Sequence, residues 1–311
     1  MTLPTVDERI RRLRPSKNYV DPFRAHGSLL ETERRPDGRV ERALTVFLAG
    51  AECPFTCSFC DLWKFTIDGP TPHGALTAQV EDAIAGLRAD RLKLYNASNF
   101  FDTRAVPSDD LAGIAKLAGS FASLTVESHA NTIGPRTVEF SRALPGRLEV
   151  AVGLETTHPT PATKLNKKLD LARFDRAADY LRENGIDLRV FVLLGVPHVP
   201  SSESVEWTVR TVQYAVGRGA SVVSVIPVRG GNGEMERLES IGEFVPPTLA
   251  QLEDALDACR GFTGAVVTGD LWDVEHLSAC DACSAQRITR LERQNHTGIV
   301  EERIACSKCA A

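Results

Sequence analysis

The chain has 311 residues, 43% hydrophobic and 25% charged, which gives room for one large α/β domain with a small appendage and excludes a disordered chain. A formal net charge of −5 shows no overall basic footprint for nucleic acid. The charged stretch 1–14 lacks the apolar core of a signal peptide, and no apolar run approaches the roughly 20 residues that span a bilayer, so a cytoplasmic location without a membrane partner is expected.

Residues 1–42 read as a lead-in. A helix is expected over 5–13, stopped by Pro15, and Pro36-Asp37-Gly38 turns the chain between two extended stretches. Arg9, Arg11, Arg12, Arg14, Lys17 and Arg24 make this part locally basic, which reads first as a solvated helix face and second as a contact for an anionic substrate. From residue 43 apolar strands alternate with amphipathic helices. Strands are expected at 44–49, 92–95, 124–127, 148–154, 188–194 and 222–227, and helices near 77–88, 108–118, 135–143, 171–184 and 203–218. Six such β–α repeats imply parallel strands joined by right-handed crossovers, hence an α/β fold with a partial TIM-type (βα)6 barrel. A helix at 248–259 and a further strand at 265–268 extend it, so the barrel domain is set at 43–270. In such barrels the chemistry sits where strands end and loops begin. Residues 271–311 carry four cysteines and little periodicity, and read as a small cysteine-rich metal-binding tail.

Seven of the eight cysteines fall in tight clusters, which in a reducing compartment hold metal more often than they form disulfides. Cys259, alone on an expected helix, reads as a small buried hydrophobe. Cys53-Pro-Phe-Thr-Cys57-Ser-Phe-Cys60 directly follows the first barrel strand. Three thiolates on one loop can wrap one corner-sharing cube of iron and sulfide, a [4Fe–4S] cluster, and leave one iron open to a ligand. This C-x3-C-x2-C pattern, with Phe59 before the last cysteine, resembles the signature of the radical S-adenosylmethionine (SAM) superfamily. The resemblance covers about residues 43–230 and implies a barrel of the radical SAM type. It further implies that the open iron chelates SAM, that an electron from the cluster cleaves it to a 5′-deoxyadenosyl radical, and that Phe59 packs near the adenine.

The superfamily usually carries a Gly-Gly-Glu-like stretch after the second strand, which holds the SAM amino group. Here Tyr95-Asn96-Ala97-Ser98-Asn99 stands in its place without the acidic residue, so Asn96, Ser98 and Asn99 are the expected contacts. Glu127 and Glu155 end the third and fourth strands and would point at the barrel mouth, where a carboxylate binds ribose hydroxyls or the SAM ammonium group; capping a following turn is the competing reading. Arg229, within Pro227-Val-Arg-Gly-Gly-Asn-Gly233, could pair with a carboxylate or phosphate, and its glycines let backbone approach a ligand. Lys164, Lys167 and Lys168 read first as solvated surface, and His198 is an acid or base candidate with no partner visible in sequence. The sequence singles out no catalytic residue.

Gly153-Leu-Glu-Thr156, Leu165-Asn-Lys-Lys168, Gly185 and Val190-Phe-Val-Leu-Leu-Gly195 resemble the branch that contains Elongator acetyltransferase catalytic subunits and tRNA methylthiotransferases. Cys60-Asp-Leu-Trp63 with Tyr95-Asn-Ala-Ser-Asn-Phe-Phe-Asp102 resembles the radical SAM subunit of archaeosine synthase and its bacterial relatives. That family cleaves a C–N bond on a lysine-modified deazaguanine base in tRNA.

Cys280-Asp-Ala-Cys283 and Cys306-Ser-Lys-Cys309 are two C-x2-C pairs that together offer four sulfurs to a metal. Two fillings stay open: a second, auxiliary [4Fe–4S] cluster, or structural zinc. Ser284 and Ala310 stand where zinc ribbons usually carry glycine, which leans the reading toward the cluster. The function expected is therefore a radical SAM enzyme that takes hydrogen from a nucleoside-like or other small-molecule substrate, with bond cleavage, rearrangement or auxiliary-cluster sulfur insertion as the outcome. An external electron donor of flavodoxin or ferredoxin type would supply the electron. The alternative is a tRNA-modifying C–N lyase with a structural zinc tail, which the acidic balance makes the less favoured of the two.

Overall fold

The computed structural model describes residues 4–309. One eight-stranded sheet runs in the order β1 to β8 and stays open between its ends. β1 (Gly27–Arg34) and β2 (Val40–Phe47) form an antiparallel hairpin through a turn at Gly38, whose φ of 84° suits glycine. β3 (Arg91–Tyr95), β4 (Ser123–Glu127), β5 (Arg147–Glu155), β6 (Asp187–Leu194), β7 (Ala220–Pro227) and β8 (Val266–Gly269) each run parallel to the strand before. The helices are α1 (Val6–Leu13), α2 (Ala75–Ile84), α3 (Ser108–Leu117), α4 (Pro135–Ala143), α5 (Pro159–Lys164), α6 (Leu171–Glu183), α7 (Ser204–Gly217), α8 (Glu234–Ser240), α9 (Leu249–Ala258) and α10 (Ser284–Thr297). The partial α/β barrel expected from the repeat pattern is thus present, and the lead-in contributes β1 to the same sheet.

Strand alternation divides the barrel into two environments. On β5, Leu148, Val150, Val152 and Leu154 join the core with Phe174 and Leu181 of α6 and Val212 of α7. Glu149, Ala151, Gly153 and Glu155 therefore face the lumen. The same alternation turns Arg91, Lys93 and Tyr95 of β3 and Arg189 and Phe191 of β6 inward. The lower lumen is filled by charge. Arg189 lies 2.8 Å from Glu149 and 2.9 Å from Glu33, Arg91 and Arg35 each lie 3.1 Å from Glu149, and Lys93 lies 2.6 Å from Glu31 and 2.7 Å from Glu33. Burial alone would raise the Glu149 carboxyl, but Arg189, Arg91 and Arg35 hold it down to about 2. Arg189 and Lys93 likewise keep Glu33 well below the usual carboxylate range despite its burial. Two of these carboxylates, Glu31 and Glu33, come from β1, so the antiparallel hairpin supplies charge that the lumen's lysine and arginines require.

The tail holds a helix that sequence periodicity did not announce. α10 packs against both β1 and β8, the two outer strands of the open sheet. Asn295 imitates a strand there: its Oδ1 accepts from the Gly269 N–H at 2.9 Å and its Nδ2 donates to the Gly269 carbonyl at 2.8 Å. On the other side His296 meets the Thr32 hydroxyl at 3.2 Å. Against α9, Arg287 bonds Glu253 at 2.6 Å, and Arg290 reaches Asp257 at 2.9 and 3.0 Å. The buried face of α10 is Arg287, Arg290, Leu291 and Gln294, which gives no apolar stripe to detect.

Replacing Arg189 with methionine should cost roughly 3–5 kcal/mol, because Glu33 and Glu149 stay buried with a partner removed. A carboxyl held below its unfolded value of 4.5 stabilises above that pH and loses the contribution as pH falls toward its folded value, about 2 for Glu149. Urea unfolding of wild type should accordingly weaken steadily from pH 5 to pH 3. An Arg189→Met variant with the wild-type midpoint at pH 7 would contradict this.

Candidate functional site

The loop from Cys53 to Cys60 follows β2 and has little regular structure of its own, so its shape depends on outside partners. Three asparagine amides supply them. Asn99, after β3, donates to Cys53 Sγ at 3.3 Å while its Oδ1 accepts from the His129 N–H at 2.8 Å. Asn166, after α5, donates to the Thr56 carbonyl at 2.8 Å and to Asp7 of α1 at 2.6 Å. Asn232, after β7, donates to the Ser58 carbonyl at 2.8 Å and the Cys60 carbonyl at 3.2 Å. The three cysteines are free of disulfides. Burial pushes all three thiols up, Cys57 to about 12, so they are protonated unless a bound cation displaces the proton. A metal bound by the thiolates would do so. Buried polar atoms without a protein partner lie alongside: both ends of the Asn96 amide, Ser98 Oγ and Ser58 Oγ.

Beside the cysteines, Lys167 Nζ lies 2.5 Å from Glu155 Oε1 and 5.8 Å from the centre of the Phe59 ring. Burial works against the ammonium, but Glu155 and then Cys57 outweigh it and raise the Lys167 pKa. Glu155 ends β5 at a bulge with a φ of 68°, and a side chain on Gly153 would collide with this ion pair. Glu127 takes a different part. Its Oε1 accepts the backbone N–H groups of Asn96 and Ala97, both at 2.9 Å, and burial outweighs these bonds to raise the carboxyl to about 7. Its Oε2 has no hydrogen-bond partner among the described residues. His129 braces the site from behind: its ring stacks on Phe55 at 4.2 Å and bonds the Lys167 carbonyl at 2.9 Å. Burial, then the Lys167 charge, lower its pKa to about 4, so the neutral ring donates from Nε2 and accepts at Nδ1 from the Asn131 N–H.

Other residues singled out from sequence are engaged elsewhere. Arg229 pairs with Asp270 at 3.0 Å and donates to the Trp272 carbonyl, so its charge is matched within the protein. The bare Cα of Gly233 is where the Leu13 carbonyl of α1 approaches, so this glycine accommodates the chain itself. His198 is held by Glu243 at 2.7 Å, and Lys168 by Asn166 at 2.6 Å. Lys167, His129, Asn166 and Asn232 had no signal of this importance, because their partners lie 12 to 174 residues away.

The tail cysteines converge. Sγ atoms of Cys280, Cys283, Cys306 and Cys309 lie within 4.8 Å of one another, a group that could hold a metal ion. Among the described residues this is the one such compact group of three or more, so the loop cysteines are more widely spread. Backbone N–H groups of Lys308 and Cys309 lower the Cys306 thiol to about 6. Among the described residues no helix is long and apolar enough to cross a membrane.

No protein-family model and no curated protein matches the chain. Solved structures do. Elp3 from the archaeon Methanocaldococcus infernus, with residues 1–46 deleted, superposes with a TM-score of 0.52 at 12% identity, over 75% of this chain and 60% of that one. A radical SAM methyltransferase from Sphaerobacter thermophilus superposes with a TM-score of 0.52 at 17% identity, over 80% of this chain and 77% of the other. The chain shares the fold of these two proteins. At these identities the likeness speaks for the fold alone, and the chain spans only three fifths of the archaeal protein. Within this fold the C-x3-C-x2-C loop stands after the end of β2, on the mouth side of the sheet.

The Asn99 amide donates to a cysteine sulfur, and such bonds favour the more negative, reduced state of an iron–sulfur cluster. Asn99→Ala protein loaded with iron and sulfide should therefore titrate at a more negative midpoint potential than wild type, at equal iron content. An unchanged potential would show that the contact does not reach the cofactor.

Proposed function

We propose that this chain is a radical SAM enzyme acting on a nucleoside-like or other small-molecule substrate. The observation that carries the reading is the clamped loop of three cysteines at the mouth of a radical SAM fold, beside a buried lysine–glutamate pair. Cys53, Cys57 and Cys60 would hold a [4Fe–4S] cluster and leave one iron for SAM. Bound there, cluster and SAM supply a reductively generated carbon radical able to take hydrogen from an unactivated C–H. Lys167 offers its ammonium to the SAM carboxylate, with Glu155 holding it in place. Glu127 Oε2, Asn96 Oδ1 and Ser98 Oγ suit the SAM amino group as acceptors, while Glu127 Oε1 fixes the backbone turn that carries them. Asn99, committed to Cys53 and His129, serves the cluster. Phe59 lies on the apolar flank with Val196, Val228 and Met235, which suits the adenine. The electron would come from an external donor of flavodoxin or ferredoxin type.

For the tail, structural zinc is the better-supported filling. A Zn–S bond of about 2.3 Å places the sulfurs of a tetrahedral site about 3.8 Å apart. Cys280 to Cys306 is 3.9 Å and Cys283 to Cys309 is 3.6 Å. A four-iron cube sets each thiolate on its own corner and needs them spread more widely. With zinc there the tail offers no sulfur source, so bond cleavage or rearrangement is favoured over sulfur insertion.

Under dithionite with SAM, the reconstituted protein should form 5′-deoxyadenosine, and the Cys53→Ala, Cys57→Ala, Cys60→Ala triple variant should form none. Product from the triple variant would remove the basis of the reading. Elemental analysis after anaerobic reconstitution should give about four iron and one zinc per chain. About eight iron without zinc would instead place a second cluster in the tail.

A further inference from the structure

Above the ion-pair layer, four aromatic rings cross the lumen in a ladder. Ring centroids are 6.4 Å apart from Trp272 to Phe47, 6.4 Å from Phe47 to Tyr95 and 6.2 Å from Tyr95 to Phe191. Phe47 and Tyr95 stand opposite each other in the β2–β3 register. The other two pairs do not belong to neighbouring strands. Tyr95 and Phe191 lie on β3 and β6, with two strands between them, and Trp272 follows β8 at the far end of the sheet from the β1–β2 hairpin. Such rings meet only through the barrel interior.

Inward-facing apolar rings would ordinarily be buried, yet Trp272 is 66% exposed and Phe47, Tyr95 and Phe191 are only half-buried. On β5 the inward residues at this level are Ala151 and Gly153, which add almost no volume against them. Directly above Gly153 lies the Lys167–Glu155 pair beside the cysteine loop. The charges near the ladder are matched within the protein: Lys93 by Glu31 and Glu33, Lys167 by Glu155, and Arg229 by Asp270. The Tyr95 hydroxyl, in contrast, has no hydrogen-bond partner among the described residues.

We infer that this ladder is the substrate seat and that it takes an uncharged, planar heteroaromatic ring, stacked against Phe47, Tyr95, Phe191 and Trp272, with a ring acceptor taking the Tyr95 O–H. This rests on the radical SAM reading for its purpose, since the ring would lie next to the cysteine loop. Partly exposed aromatic faces with no spare charge bind flat, neutral π-systems, whose quadrupoles favour offset or edge-on stacking. An adenine ring offers the same chemistry, so the cofactor's own base is the competing occupant. Phe59 and its apolar neighbours on the other flank of the loop suit that base instead.

The test uses reconstituted protein held at saturating SAM and titrated by calorimetry with guanosine, with indole, and with cyclohexanol as a ring of similar size without a π face. Guanosine and indole should bind saturably and cyclohexanol should not. Phe47→Leu and Phe191→Leu, which keep apolar bulk and lose the ring, should each weaken both aromatic probes by roughly tenfold. Tyr95→Phe should weaken guanosine severalfold and leave indole unchanged. Absence of saturable binding by either aromatic probe, equal binding by cyclohexanol, or unchanged affinity in both leucine variants would overturn the proposal. In a parallel titration without SAM, probe binding that saturating SAM abolishes would overturn it too, because the ladder would then seat the cofactor's adenine. Failure of wild type to make 5′-deoxyadenosine would sink the radical SAM reading separately and leave the ring titration to stand on its own.

Discussion

The cysteine loop is irregular backbone, and three side-chain amides replace the hydrogen bonds a helix or strand would have given it. Each amide comes from a different crossover: Asn99 after β3, Asn166 after α5 and Asn232 after β7. The loop can therefore take this shape only once strands far apart in sequence have assembled. α1 adds a strap from outside. Asp7 accepts from the Thr56 hydroxyl at 2.5 Å, Arg14 bonds Glu52 at 2.7 Å, and the Arg14 guanidinium sits 4.7 Å from the Trp63 ring centre. The fold itself thus holds the loop that carries the three sulfurs.

Beneath that loop the lumen is stratified. Charge fills the bottom, aromatic rings form the next level, and the lysine–glutamate pair and cysteines stand at the mouth. The order follows from placing charged side chains at the inward positions of β1, β3, β5 and β6, where each finds an opposite charge and the cost of burial is offset. The same constraint explains the antiparallel hairpin: without Glu31 and Glu33, Lys93 and Arg189 would each lose carboxylate partners inside the barrel. α10, riveted to α9 by arginines, then packs against both β1 and β8, and the four tail cysteines converge from the segments on either side of that helix.

Much of this was legible in the sequence, for physical reasons. Strands β2 to β7 carry apolar residues on the helix-facing side of each, and the helices between them carry matching stripes, so period and spacing reveal the barrel. The cysteine motif is legible because three ligands on one loop must lie close in sequence. α10 escaped notice because its buried face is mostly arginine and glutamine, and β1 was expected only as an extended stretch of the lead-in, because its inward residues are glutamates. Lys167 read as surface because its partner Glu155 is brought near only by the fold, 12 residues back on β5. Asn99 was expected to face SAM; its amide turns to Cys53 instead, a choice set by three-dimensional neighbours alone. The tail's two C-x2-C pairs were legible for the same reason as the loop motif, and their four sulfurs converge into a group that could hold a metal ion.

The most direct test of the account asks whether the clamped loop holds a cluster whose open iron takes SAM. Electron paramagnetic resonance of the dithionite-reduced protein, recorded before and after SAM is added, measures this at the iron itself. The account predicts a [4Fe–4S] signal that changes shape on SAM addition and is absent when Cys53, Cys57 and Cys60 are replaced by alanine. A signal that SAM leaves unaltered, or one that survives those replacements, would contradict it.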